Sequence, residues 1–261
     1  MMSKSICIIY SYFEANDEYK RNLQFFLKRG YIDDQNLDFY LVINGKTTLD
    51  LPIRSNFFIF YRENECYDFG GYQYITRMLY KTYDYYFFMN CTARGPFLPK
   101  YYNLKWYQPF IDQLVGDVKL VGPTINACTL FGGIKPHVQS YMFALDNECF
   151  EFLKREQFFN KKFYDKHEII INQEIGLSKL ILSHGWNISC LVPEYQGINF
   201  RSLTEHSNER IILAGKRVNG DILHPGKACF GRDLHPYELI FIKTNRGLCP
   251  NEIESLSQQK I

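Results

Sequence analysis

The chain predicts an α/β domain with a mainly parallel central sheet flanked by helices. Three observations predict it. Short aromatic or β-branched runs alternate with stretches of helical period. Polar turn signals close most of the runs. The 261 residues fit one large domain that can bury a substantial core.

Residues 6–10 (ICIIY) form a β-rich run that ends at Ser11 and Tyr12. Asp17 can start the first helix, with Tyr19, Leu23, Phe26 and Leu27 on one face and Gly30 as its stop. Residues 37–43 make a second strand, closed by Asn44-Gly45. A third strand, 57–61, leads to a helix opened by Gly70 and Gly71, whose Tyr72, Ile75 and Leu79 share a face. A fourth strand, 85–89, runs into the polar turn Asn90-Cys91-Thr92.

Beyond that turn the pattern loosens. A helix is predicted over 106–115, a strand over 118–121, a loop over 126–136 around Gly132 and Gly133, and a strand over 138–145. Asp146 should cap a helix to 159, and a longer helix should run over 168–184 to a stop at Gly185. A further strand is expected at 188–192, and 193–220 read as loop-rich. Residues 1–246 then form the domain, with 247–261 a C-terminal tail that is either a surface helix or disordered.

Composition narrows the partners. A net charge of +2 with 22% charged residues demands neither nucleic acid nor an acidic membrane. The 20 Tyr and 22 Phe are mostly core, although an excess of Tyr also suits stacking on sugar rings. The eight cysteines are scattered singly, without the C-x-x-C or Cys/His spacing of a zinc site. No apolar stretch approaches the roughly 20 residues that span a bilayer, and residues 1–5 do not read as a secretory leader. Reduced thiols and a cytoplasmic location are the expectation.

The third and fourth strands set two polar clusters at neighbouring carboxyl ends, where open α/β sheets bind ligands. Arg62 offers a fork of donors, Asn64 a donor and an acceptor, and Asp68 a carboxylate. Each also has a plain structural reading, Asp68 as a helix cap and Arg62 as a partner of Glu63. In the second cluster Asn90 and Thr92 offer only neutral oxygens, which hold Mg2+ or Mn2+ weakly. Arg94 is then a cation for a diphosphate. The crevice reads as a nucleotide-sugar site.

Glu174 is the candidate catalytic base. At 100° per residue it sits amid Ile170, Ile171, Leu177 and Ile181, and a carboxylate in an apolar arc is costly unless it faces a cleft or a partner. A structural Glu bonded to backbone is the alternative. Further on, His224 and Lys227 flank a Pro-Gly turn that can cradle a diphosphate, and His224 could complete a metal shell. His235, Glu238, Lys243 and Arg246 follow as a dense polar run.

These residues resemble a known family. YRENECYDFGGYQ (61–73) and YDYYFFMNCTARGPFLP (83–99) are similar to the signature of the rhamnan synthesis F family: R-E-N-x-G-x-D-F-G, an apolar strand, then N-(D/S)-S-x-x-G-P. PHVQSYMFAL (136–145) resembles its H-x-Q-S-Y-F segment, and LHPYELIFIKTNR (234–246) its ending. NQEIGLSKLILSHGW (172–186) is similar to the E-D-x-x-L-S-x-x-L-x-x-x-G-(Y/W) helix of inverting GT-A-fold glycosyltransferases, whose carboxylate is the base.

The resemblance implies a GT-A-like, Rossmann-related enzyme that transfers a sugar, L-rhamnose among the candidates, from a UDP- or dTDP-sugar to a glycan acceptor. It sets Arg62, Asn64 and Asp68 on the donor motif, Asn90 and Thr92 on the strand-end turn, and Glu174 on the base position. His137 and Gln139, with His235 and Glu238, become candidates for the acceptor or sugar side. Three positions depart from the pattern. Cys91 stands where the family often has Asp, Glu65-Cys66 replace x-Gly, and Gln173 replaces the acidic neighbour of the base. A divalent Mn2+ or Mg2+ is compatible with the resemblance, but an Asp-x-Asp pair is missing. That gap favours the rival reading, a non-catalytic nucleotide-sugar or glycan-binding module on the same fold. A nucleotidyltransferase would need carboxylate-held metals that the turn does not supply.

Overall fold

The computed structural model describes residues 4–127, 136–202, 211–213, 216–218 and 220–259. The loop expected around Gly132 and Gly133, Cys128 and part of the loop-rich 193–220 stretch lie outside them. In chain order the first half comprises β1 (Ile6–Tyr12), α1 (Asp17–Arg29), β2 (Leu37–Asn44), β3 (Phe57–Arg62), α2 (Tyr67–Met78), β4 (Tyr85–Asn90) and β5 (Ala93–Arg94). Then follow α3 (Gln108–Ile111), β6 (Val118–Gly122), β7 (Ile125–Asn126), β8 (His137–Val138), β9 (Met142–Asp146) and α4 (Asn147–Arg155). The last third holds α5 (Lys166–Ile169), a π-helical turn (Ile170–Ile175), α6 (Gly176–Ser183), β10 (Asn187–Cys190), β11 (Ile211–Leu213), β12 (Lys216–Val218), α7 (Pro236–Leu239), β13 (Ile242–Lys243) and α8 (Pro250–Gln258).

Seven strands make the central sheet, in the order β10-β6-β9-β4-β1-β2-β3. All neighbours are parallel except β9, which runs against both β4 and β6. Strands covered on both faces must be apolar throughout, and every residue of β1 is buried. The aromatic excess goes largely into this core. Phe150 stacks on Tyr86 at 3.7 Å between ring centroids, and Phe143 on Phe88 at 4.7 Å. Each such ring contributes about 1.5–3 kcal/mol by leaving water. Trp106 is buried and spends its indole N–H on the Gly30 carbonyl at 2.8 Å.

α1 starts where Asn16 accepts from the Tyr19 amide, with Asp17 and Glu18 in its first turn and Lys28 and Arg29 in its last, in line with the helix dipole. Five expectations need correction. The helix capped by Asp146 ends at Arg155 rather than at 159, with a separate 3-10 turn at Phe158–Asn160. α2 begins at Tyr67 rather than at Gly70-Gly71. Those glycines are there for close approach: a Cβ on Gly71 would lie 2.3 Å from Ser11 Oγ, and one on Gly70 would lie 2.0 Å from the Glu65 carbonyl. The helix of 106–115 shrinks to Gln108–Ile111. The strand of 138–145 splits, β8 pairing with β7 and β9 entering the main sheet. The long helix of 168–184 is interrupted by the π-helical turn, which closes i→i+5 bonds and so breaks the α period.

After Gly247 the chain forms α8, which buries Ile253. The described cysteines are free thiols, and most are buried. No helix among the described residues is long and apolar enough to cross a membrane.

Candidate functional site

The carboxyl ends of β1, β2 and β3 are tied by a polar chain. Ser11, Asn44 and Arg62 end or nearly end their strands, and the parallel register brings Asn44 opposite Arg62. Asn44 Nδ2 donates to Ser11 Oγ at 3.0 Å and to the Tyr12 carbonyl at 3.1 Å. Its Oδ1 accepts from Arg62 Nη1, while Arg62 Nη2 reaches the Glu65 carbonyl at 3.0 Å. Burial lowers the Arg62 pKa from its ordinary value. Arg62 is therefore not the exposed partner of Glu63. It braces the loop that starts α2, and the bare Cα of Gly70 leaves room for its guanidinium.

Next to this chain lies the strand-end turn. Asn90 Oδ1 accepts from the Thr92 amide at 2.9 Å and the Thr92 hydroxyl at 2.6 Å, an Asx turn. Asn90 Nδ2 donates to Asp68 Oδ2 at 2.6 Å. So the two clusters meet directly. Burial, aided by the nearby Glu174 carboxylate, raises the Asp68 carboxyl from 3.8 to about 6 against the opposing pull of Lys243, the Asn90 bond and Lys166.

Glu174 arrives from the other side, on the π-helical turn. Its Oε1 accepts the Ser140 amide at 3.0 Å. Ser140 follows His137-Val138-Gln139, so two segments far apart in sequence meet at this carboxylate. Gln173 beside it is buried and donates to the Lys161 carbonyl at 3.1 Å. Ile171, expected beside Glu174 in an apolar arc, is 38% exposed because the π turn shifts the faces.

The remaining predicted residues are distributed differently. Asn64 is exposed on the loop before α2. Arg94 is 3% exposed and turned towards α1 and α8: Nε donates to Asn22 Oδ1 at 2.8 Å, Nη2 to Glu18 at 2.8 Å and Nη1 to Ser257 at 3.3 Å. Its guanidinium is committed, which removes it from the group around Asp68. Gln139 is buried, accepting from Thr124 at 2.8 Å and donating to Asp221 at 3.3 Å. His137 is buried on β8. His224 and Lys227 are exposed, His224 Nδ1 lying 2.9 Å from the Pro225 carbonyl and the Lys227 amide 2.7 Å from Asp233.

His235 and Glu238 have structural work. They form the capping box of α7, and Glu238 also pairs with Arg232 at 2.9 Å, which in turn grips Glu194. The His235 Nδ1 and the Glu238 carboxylate, expected on the sugar side, are taken up by this cap and by Arg232.

Several participants escaped the sequence reading. Ser140 acts through its backbone amide, which has no side-chain signature. Ser11 and Asn44 are small polar residues closing apolar strands, a pattern that could have marked them. Lys166, at the start of α5, carries no local mark of a site, yet its charge reaches Asp68.

Among the described residues no three His, Cys, Asp or Glu side chains gather to hold a metal. The Asn90 amide oxygen is taken by Thr92, and Asp68, on α2, is the one carboxylate hydrogen-bonded to the turn's side chains among the described residues. These groups fit Mn2+ or Mg2+ poorly.

No protein-family model matches the chain, and no curated protein matches it. Solved structures do resemble it. A mannosyltransferase from Pyrobaculum calidifontis, in complex with GDP-Man and Mn2+, aligns at 10% identity over 73% of this chain and 55% of its own, with a TM-score of 0.47. The glycosyltransferase GlyE of Streptococcus pneumoniae aligns at 12% identity over 74% of this chain and 47% of its own, with a TM-score of 0.40. A cytidylyltransferase of Francisella tularensis, acting on 2-C-methyl-D-erythritol 4-phosphate by its name, aligns at 10% identity over 71% of this chain and 89% of its own, with a TM-score of 0.40. The chain spans about half the length of the first two. What it does has to be read from its own residues.

Proposed function

We propose that the chain is a glycosyltransferase of GT-A-like build, acting on a nucleotide-diphosphate sugar with inversion. The observation that carries the reading is the meeting of Asp68, Asn90 and Glu174 beside the Ser11-Asn44-Arg62 chain, at the carboxyl edge of the sheet. That edge is where open α/β sheets take their ligands. The resemblance to the rhamnan synthesis F signature supports it, since its separate motifs converge here. It favours L-rhamnose from a UDP- or dTDP-sugar as donor and a glycan as acceptor.

In this mechanism Glu174 takes the proton of an acceptor hydroxyl. The freed oxygen attacks the anomeric carbon, and the bond to the diphosphate oxygen breaks, its electron pair leaving with the nucleoside diphosphate. The Ser140 amide orients the Glu174 carboxylate and leaves its other oxygen for the acceptor. Arg62 and Asn44 shape the donor side.

Incubation with UDP- and dTDP-sugars, with and without Mn2+, tests the activity by release of the nucleoside diphosphate. Glu174→Gln should keep donor binding and cut turnover by about 10²–10⁴-fold; near-normal turnover would remove Glu174 from the reaction. The poor metal fit favours a second reading, a binding module without turnover. Donor binding without hydrolysis or transfer across the panel would establish it.

A further inference from the structure

We propose, resting on the transferase reading above, that Lys243 is the anchor for the donor diphosphate, placed at a strand-end turn that has too few carboxylates to hold a metal. A departing diphosphate gathers negative charge that preorganised donors must meet. The arginines nearby in the fold are otherwise engaged, and Lys166, whose weaker charge also reaches Asp68, stands on α5 rather than beside the turn. Arg94 is committed to Glu18 and Asn22, Arg232 to Glu194 and Glu238, and Arg246 sits 3.2 Å from Asp221. Arg62 spends its guanidinium on Asn44 and the Glu65 carbonyl.

Lys243 differs from all of these. It is partly buried, and among the described residues its ammonium makes no hydrogen bond or close ion pair. Its backbone is held beside the candidate site by pairing. β13 lies antiparallel to β5, with Lys243 opposite Ala93 and Ile242 opposite Arg94. The Thr244 amide and hydroxyl both donate to the Thr92 carbonyl, at 2.9 and 3.2 Å. Asn22 Nδ2 then donates to Thr244 Oγ1 at 2.9 Å, fastening the same segment to α1. Ile242 is fully buried, so alternation turns Lys243 out of the core. Of the charges around Asp68, that of Lys243 acts on it most strongly. The result is a cation fixed at the Asn90–Thr92 turn without a dedicated partner. A phosphate oxygen would supply one.

Titration calorimetry with inorganic pyrophosphate and with UDP, in EDTA, tests the anchor on the full chain. Lys243→Met should weaken both by roughly tenfold or more, the value of one charge-assisted bond. Lys243→Arg should retain most of the affinity, and Lys154→Met, on the exposed face of α4, should leave it unchanged. Lys243→Gln keeps a polar tip and serves if the Met variant unfolds. A lysine that only balances Asp68 would alter the melting temperature and not the pyrophosphate affinity.

Equal affinity in wild type and the charge-removing variants overturns the proposal, and so does failure of the wild type to bind pyrophosphate. Donor turnover in the same buffer separates the two readings. Turnover with Lys243-independent pyrophosphate binding leaves the transferase standing and the anchor fallen. Lys243-dependent binding without turnover of any nucleotide sugar leaves the anchor standing and the transferase fallen.

Discussion

At the amino end of β2, Asp38 is closed in by its partners. The Tyr83 hydroxyl donates to it at 2.6 Å, Lys81 lies 2.8 Å away, and the Tyr40 and Tyr83 hydroxyls meet at 2.8 Å. At the carboxyl end of β4, Asp68 accepts one side-chain hydrogen bond among the described residues, from Asn90, and faces a second carboxylate. One pole pairs its charges; the other keeps like charges together and, among the described residues, holds Lys243 without a close partner. Folding alone favours the first arrangement, because unpaired polar groups away from water are costly. The second is what a site awaiting a charged ligand requires.

The Arg94 seam offers the hardest test of that contrast, since it belongs with the closed clusters. Its loss would leave the buried Asn22 amide oxygen without its donor and Glu18 with Arg21 alone, at the seam between α1, β5 and α8. Arg94→Met should cost about 3 kcal/mol, as when one member of a buried pair is removed, read as a shift in the urea midpoint. Loss of pyrophosphate binding beyond what unfolding explains would return Arg94 to the donor group.

Asp68 should behave in the opposite way. Burial and then Glu174 raise its carboxyl from 3.8 to about 6. A folded-state pKa above the unfolded value means that the native state holds the proton more tightly. Stability contributed by this group is full below 3.8 and is lost as pH rises through about 6. Asp68→Asn should therefore be more stable than wild type at pH 7, by roughly 2 kcal/mol, and no more stable at pH 3. It should also lose donor turnover. Equal stability of the two proteins at pH 7 would show that Asp68 is as well accommodated as Asp38.

The closed and open parts were not equally legible in the sequence. β1 to β4 fell within two residues of expectation, because strands buried on both faces announce themselves as apolar runs without reference to a partner. Arg62, Asp68 and Asn90 stand out in the sequence as polar residues at or just beyond the ends of such runs, whereas the apolar arc that singles out Glu174 is an α-helical one that the π-helical turn does not keep. Arg94 was misassigned because its partners Glu18 and Ser257 are remote in sequence, and nothing local distinguishes a buried guanidinium from one facing a ligand. Gly70 and Gly71 read locally as helix openers, because the Ser11 side chain and the Glu65 carbonyl that require them have no local signature. The π-helical turn depends on which hydrogen bonds close, and an α period cannot reveal it. Lys243 lay within a polar run that was noticed, but its place follows from the pairing of β13 with β5.

Glu14 gives the smallest effect and the finest division between bracing and ligand contact. It stands in the loop after β1 and accepts from Tyr12, Thr47 and Thr48, with the Thr48 hydroxyl at 2.6 Å. It thereby joins the loop after β1 to the loop after β2, both above the candidate site. Burial pushes its carboxyl up, but the bonds from Thr47, Thr48 and Tyr12 outweigh burial and bring it down from 4.5 to about 2. The sign is the reverse of Asp68: the stabilisation is full above 4.5 and is lost as pH falls towards about 2. Because the group is partly exposed, solvent screening holds the effect to under about 1 kcal/mol. Glu14→Gln should show that deficit at pH 7 and none near pH 2, followed by thermal unfolding across the range. A deficit that persists at low pH would mean that the side chain braces the loops by packing and not by charge, placing it with the closed clusters.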